Sequence, residues 1–234
     1  MRLFFIFIFF LGFNLSHAQL FDKEKVLNKE NIDKKRWSWG YFLGFNAYDF
    51  QIKYNNTFNE QTNNDLEVGK NPSFNVGLIG NLRINEYLDL RLEPGVVFAN
   101  RTLTFPDVAE SNSVRDVNSS YIHIPLLLKF SAKRINNFKP FVVGGASIST
   151  NLSSNEDNPQ DNTAGQFRMK TQNYYYEVGF GVDFYFEYFK FTPSLRGVFG
   201  MGNELVRDED PNSPYTSNIE SVKTRGIFIN FTFQ

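Results

Sequence analysis

The stretch SFNVGLIGNLRINEYLDLRLEPGVVFAN, residues 73–100, alternates with a period of two on both sides of a short turn. Phe74, Val76, Leu78, Gly80, Leu82 and Ile84 share one phase, and Asn75, Asn81, Arg83 and Asn85 share the other. Beyond Asn85-Glu86, Leu88, Leu90, Leu92, Val96 and Phe98 read as one face, with Asp89, Arg91, Glu93 and Asn100 as the other. Successive side chains of a strand point to opposite faces, so the stretch reads as an antiparallel hairpin with one apolar and one charged face.

The same rhythm recurs on either side. Ile122, Ile124, Leu126, Leu128 and Phe130 oppose His123 and Lys129. After a turn at Lys133 to Asn137, a strand from about Phe138 to Thr150 carries the Gly144-Gly145 pair. Tyr174, Tyr176, Val178, Phe180, Val182, Phe184 and Phe186 alternate with Glu177, Gly179, Gly181 and Asp183. Next, Lys190, Thr192, Ser194 and Arg196 are set against Phe191, Leu195 and Phe199, and the chain ends with Ile227, Ile229, Phe231 and Phe233 against Arg225, Asn230 and Thr232. With a first strand over roughly Trp39 to Tyr54 the count is eight. In that strand the apolar phase changes from Tyr41, Leu43 and Phe45 to Tyr48, Phe50 and Ile52, which predicts a bulge near Asn46 to Tyr48. Pro94, Pro125 and Pro193 lack a ladder donor and predict further bulges.

Connections after the second, fourth and sixth strands are short, whereas those at about 55–72, 101–119, 151–172 and 203–221 are long. Short turns on one side and long loops on the other are the pattern of an outer-membrane barrel, with short turns and both termini in the periplasm. The expected fold is therefore all-β: an eight-stranded antiparallel up-and-down transmembrane β-barrel of the outer-membrane type. Trp37, Trp39, Tyr87, Phe138, Tyr185, Phe186, Tyr188 and Phe189 fall beside the start or a short turn, and Tyr48, Tyr54, Phe98, Tyr121 and Tyr174 near the long loops. These rings predict aromatic girdles at the two headgroup levels. A soluble lipocalin-like barrel has the same strand rhythm with its faces inverted. Loop asymmetry, the paired aromatic belts and the terminal Phe231-Thr232-Phe233-Gln234 favour the membrane form.

The N-terminus carries an address. Met1-Arg2 precedes an apolar run from Leu3 to Phe13, and Ser16-His17-Ala18 gives a small-x-small site. The run is too short to span as a helix, so residues 1–18 read as a signal peptide cleaved after Ala18. Residues 19–36, charged with both signs, read as a periplasmic tail or short helix, and 37–234 as the barrel. Among 234 residues there are 27 Phe, 11 Tyr, 2 Trp and no Cys, and the mean hydropathy is −0.35. That is aromatic-rich yet too polar for a helical membrane protein. The formal net charge of −1 offers nothing to nucleic acid. Without Cys there is neither a disulfide framework nor a thiolate metal site.

Arg83, Arg91, Glu93, Lys129, Glu177, Asp183, Lys190, Arg196 and Arg225 are expected to project into a lumen too narrow for a wide channel, where opposite charges must pair. His17 falls in the signal peptide, so His123 is the one histidine of the mature chain, in a lumen-facing phase. No His/Cys cluster or nucleophile motif accompanies it, so no catalytic, metal or cofactor role is assigned. Asp157, Asp161, Asp208, Glu209 and Asp210 form acidic loop tips whose spacing matches no calcium loop. Gly179-Phe180-Gly181 and Gly144-Gly145 lack the strand-to-helix setting of a phosphate cradle and suit close packing instead.

Three stretches carry a resemblance: GYFLGFNAYDFQI (40–52), YIHIPLLLKFSAKRINNFKPFVVGGAS (121–147) and VGFGVDFYFEYFKFTPSLRGVFG (178–200). The chain resembles the PorT family of outer-membrane barrels, called SprT in gliding bacteria, most specifically over Ile124 to Gly145. The resemblance implies a non-enzymatic part in the type IX secretion system, which exports surface proteins, and brings no catalytic residues with it. Expected partners are outer-membrane lipid, lipopolysaccharide and other secretion-system proteins. A structural or adhesive barrel and an outer-membrane lipid enzyme are the other classes.

Overall fold

Alternation becomes a closed wall in the computed structural model, which describes residues 27–55, 65–106, 113–156, 167–210 and 213–234. The expected signal peptide and the loop-tip residues Asp157 and Asp161 lie outside the described residues. The strands are β1 (Trp37–Tyr54), β2 (Glu67–Asn71), β3 (Ser73–Arg83), β4 (Leu88–Leu92), β5 (Gly95–Thr104), β6 (Val114–Ser131), β7 (Phe138–Asn151), β8 (Gln172–Tyr185), β9 (Lys190–Gly200) and β10 (Ile219–Phe233). All pairings are antiparallel, and β1 meets β10 on one side and β3 on the other, closing the ring. β2 with β3, and β4 with β5, each occupy one position in the wall, so ten segments make an eight-stranded barrel.

The bulges expected at three prolines are absent. Leu92 faces Leu126 and Gly95 faces His123, so β6 keeps one register across Pro94. Pro125 stands opposite Ser147 within an unbroken β6–β7 ladder, and Pro193 opposite Phe231 within β9–β10. A proline in mid-sheet removes one donor, and here the strand tolerates that loss without slipping. Pro125 still accepts from the Glu93 N–H at 3.2 Å, and Pro94 from the Leu78 N–H at 2.9 Å. The irregularity falls at Pro72 instead: Asn71 faces Asn100, whereas Asn75 faces Val97, so β2–β3 holds one extra residue.

The phase change expected in β1 is also absent. From Tyr41 to Lys53 β1 runs in one register against β10, and the even residues face inward throughout, Phe42 and Asn46 as much as Tyr48 and Phe50. What changes at Ala47 is the chemistry of the two faces. Below it Tyr41, Leu43 and Phe45 are exposed; above it Asp49, Gln51 and Lys53 take the outward positions. β10 repeats the switch, with Ile227 and Ile229 exposed below Arg225. The apolar-out wall suited to lipid gives way to a polar-out, apolar-in wall suited to water. Asn100, expected inside, likewise faces out, while Val97, Ala99 and Arg101 are buried.

Above that boundary the lumen is an apolar core. Phe50, Leu103, Val117, Ile219 and Val222 from the strands meet Phe105, Phe167, Met169, Leu205 and Tyr215 from the long connections. Beneath it Tyr48, Val97, Ala99, Tyr121, Tyr175, Val198 and Phe228 form a second cluster. Glycines make room for two further buried rings: a Cβ on Gly77 or Gly95 would lie 2.6 or 2.9 Å from the tip of Phe42, and one on Gly181 2.6 Å from that of Phe141. The wall also has a seam, since among the described residues the β1–β3 ladder stops at Asn46–Ser73 and β2 is laddered only to β5. The Asp49–Lys70 ion pair at 3.0 Å and the Leu66 N–H donating to Tyr54 Oη at 2.7 Å cross it.

Candidate functional site: the lumen and its two ends

Seven of the nine charges expected in the lumen are buried there. Arg91, Glu93, Lys129, Glu177, Asp183, Lys190 and Arg196 are each at most 4% exposed. They come from β4, the Glu93-Pro94 break, β6, β8 and β9, so the network spans the ring. Arg196 is the bridge: its Nη1 lies 2.7 Å from Glu93 Oε2 and its Nε 3.0 Å from Glu177 Oε2. Arg91 reaches Glu93 at 3.4 Å. Lys129 pairs with Asp183, which also accepts from Thr192 Oγ1 at 2.7 Å. Two cations approach the Phe141 ring, Lys129 Nζ at 4.1 Å and the Arg91 guanidinium carbon at 5.4 Å from its centre. Unpaired charge in such a setting costs several kcal/mol, so pairing is what permits burial at all.

Two of the nine lie elsewhere. Arg83 is half-buried at the lip, its Nε donating to the Asn85 carbonyl at 3.2 Å. Arg225 is outside, because it shares the odd phase of Ile227 and Ile229; its guanidinium meets Asp49 at 2.8 Å.

His123 joins the network. Its Nε2 is 2.8 Å from Glu177 Oε1, and its Nδ1 shares a hydrogen bond with Ser149 Oγ. A carboxylate only accepts, so Nε2 carries a proton, and a neutral ring accepts the serine proton at Nδ1. Serine, histidine and acid are thus in contact, yet His123 and Ser149 are at most 3% exposed and Glu177's other oxygen faces Arg196. The arrangement suits wall-to-wall bracing better than attack on a substrate.

The long-loop end holds a group not singled out in the sequence. Arg101, 1% exposed, donates to Tyr121 Oη at 2.7 Å and Thr224 Oγ1 at 3.1 Å, with its guanidinium carbon 3.9 Å from the Phe50 ring centre. Glu204, from the β9–β10 connection, accepts from Thr224 N at 3.0 Å and Thr224 Oγ1 at 2.7 Å. Burial pushes the Glu204 carboxyl up from its ordinary value, against the hydrogen bonds from Thr224. Arg101 continues the inward odd phase of β5, which is the signal that identifies it. Glu204 stands in a stretch that reads as a solvated loop. Asp208, at a tip read as acidic and exposed, has a buried carboxyl that accepts from Ser213 and Thr216 hydroxyls.

At the short-turn end, the N-terminal segment lies across the mouth. Asn28 donates from its backbone N–H to Asn137 Oδ1 and from Nδ2 to the Tyr185 carbonyl, both at 3.0 Å. Arg134 donates to the Asn28 carbonyl and stacks 3.7 Å from the Tyr185 ring centre. Tyr185 Oη donates to Asp33 Oδ2 at 2.6 Å. Tyr185 is therefore a lumen residue and not part of a girdle; Tyr121, held by Arg101, and Tyr48 are likewise inside. Of the other girdle candidates, Trp37, Trp39, Tyr87, Tyr174 and Tyr188 are exposed on the outer wall and Phe138 is half-buried.

The outer membrane protein beta-barrel domain family matches residues 10–206. OprG of Pseudomonas aeruginosa is similar in structure at 12% identity and a TM-score of 0.43, covering 83% of this chain and 94% of its own. Ail of Yersinia pestis, solved with the heparin analogue sucrose octasulfate, shows 12% identity and a TM-score of 0.40, covering 85% and 99%. AlkL, solved in lipid bilayers, shows 13% identity and a TM-score of 0.42, covering 91% of each chain. No curated protein sequence matches. With the family match spanning most of the chain and the ring of strands closed, the protein belongs to the outer membrane protein beta-barrel domain family.

Proposed function

We propose that this outer-membrane barrel is a non-enzymatic component or assembly factor of the type IX secretion system, supporting export of surface proteins and, where present, gliding. The observation that carries the reading is the obstructed lumen. Ion pairs brace the lower part, rings and loop residues fill the upper part, and residues 28–33 lie over the short-turn mouth. A barrel so filled is poorly suited to conduct a polypeptide, which leaves its wall, loops and short-turn face as working surfaces. The PorT-like stretches at 40–52, 121–147 and 178–200 support the secretion role. In this reading a signal peptide is removed after Ala18, both termini are periplasmic, and the partners are lipid, lipopolysaccharide and other secretion proteins.

Deleting the gene and restoring it in trans tests the role. Lost export of proteins bearing the type IX signal, with other barrels still inserted normally, is the expected result. Normal export in the deletion strain refutes the role and leaves a structural or adhesive barrel.

A further inference from the structure

The lip beside β3 carries a second feature. The turn Ile32–Lys34 ends at Lys35 in extended backbone, and the Arg36 carbonyl then accepts from the Arg83 N–H at 2.9 Å. This lengthens the β1–β3 ladder by a rung and brings Lys34, Arg36 and Arg83 around one cavity of about 500 Å³, with Leu82, Ile84, Asn85 and Glu86 completing its lining. Three cations thus meet one carboxylate. Among the described residues none of the three pairs with an acid. Lys34 donates to Asn31 Oδ1 at 3.0 Å and Arg83 Nε to the Asn85 carbonyl at 3.2 Å, which leaves donors on each.

The position gives the occupant. Leu82 and Ile84 continue the outward apolar phase of Phe74, Val76 and Leu78, so one side of the cavity is the lipid-facing wall. Trp37 and Trp39, stacked at 6.3 Å, and Tyr87 are exposed beside it and mark headgroup depth. A cavity of this size admits one small amphiphile. Guanidinium groups match phosphate oxygens in a fork, and basic side chains at a membrane surface attract anionic headgroups.

We infer that the cavity formed by Lys34, Arg36, Arg83, Leu82 and Ile84 binds the phosphodiester of a single glycerophospholipid, its acyl chains lying upward along Leu82 and Trp39. This depends on the barrel being in a membrane and not on the secretion role.

The test uses the full barrel extracted in detergent and exposed to phosphatidylglycerol, with bound lipids counted by native mass spectrometry. The wild type is expected to hold one phosphatidylglycerol, and Arg36→Ala/Arg83→Ala to hold it about tenfold more weakly, as for loss of roughly 1.4 kcal/mol. Arg36→Lys/Arg83→Lys is expected to recover part of the affinity, and Lys53→Ala/Lys223→Ala, at the other end, to leave it unchanged. Unaltered heat-modifiability on gels establishes that each variant is folded. Equal retention by wild type and the double alanine variant overturns the proposal. So does displacement of the lipid by inorganic phosphate at similar concentration, since the site then reads free anions only.

Discussion

Arg196 and Arg225 look interchangeable in a list of strand charges, yet they occupy opposite settings. Arg196 is buried against Glu93 and Glu177, and Arg225 is half-exposed against Asp49. Removing one partner of a buried group leaves the others uncompensated, at about 3–5 kcal/mol, whereas an exposed pair is worth about 0–1 kcal/mol. Arg196→Met is therefore expected to destabilise the barrel by several kcal/mol in urea unfolding from lipid vesicles, and Arg225→Met to leave it nearly unchanged. Similar losses for both contradict this assignment. Parity alone separates the two residues, because 225 has the phase of Ile227 and Ile229. Glu204 was hidden in the sequence for a different reason: nothing local marks a loop carboxyl that long-range packing buries. Its raised carboxyl favours the fold fully at pH below the ordinary value and loses that contribution as pH rises through the raised one. Glu204→Gln should accordingly gain stability relative to wild type as pH goes from 4 to 8. A difference independent of pH contradicts it.

At the scale of the element, the strands of the lipid-facing band were legible because period two is local, while register, bulges and the strand ends beyond that band were not: β2 and the first residues of β6 lie in stretches read as loops at 55–72 and 101–119. Proline suggested a defect at 94, 125 and 193, but neighbouring strands hold the register through all three, and the slip lies at Pro72 between two short segments. The inversion in β1 read as a bulge because an exchange of faces and an exchange of solvents leave the same pattern of apolar residues. Only the pairing with β10 distinguishes them. The seam between the upper part of β1 and β2 follows from the same geometry. In hydrogen exchange of the folded protein, the amides of Ala47 to Tyr54 not bonded to β10 should exchange at least about tenfold faster than those of Tyr41 to Asn46 bonded to β3. Uniform protection along β1 shows instead that the wall is laddered throughout.

For the whole molecule, the apolar outer band, charged inner face and loop asymmetry were readable because the bilayer imposes them on every strand at once. The two ends were not, because loop and N-terminal residues reach the lumen through contacts more than a hundred positions apart in the chain, such as Asn28 with Asn137 and Tyr185. Those ends decide what the barrel can do. Ion pairs across the lower lumen, an apolar core above and the N-terminal segment below obstruct the lumen along its length. Single-channel recording of the purified full barrel in a planar bilayer tests this most directly. The expected record is a flat baseline across ±100 mV, apart from brief rare events; steady, ohmic open-channel current contradicts the account.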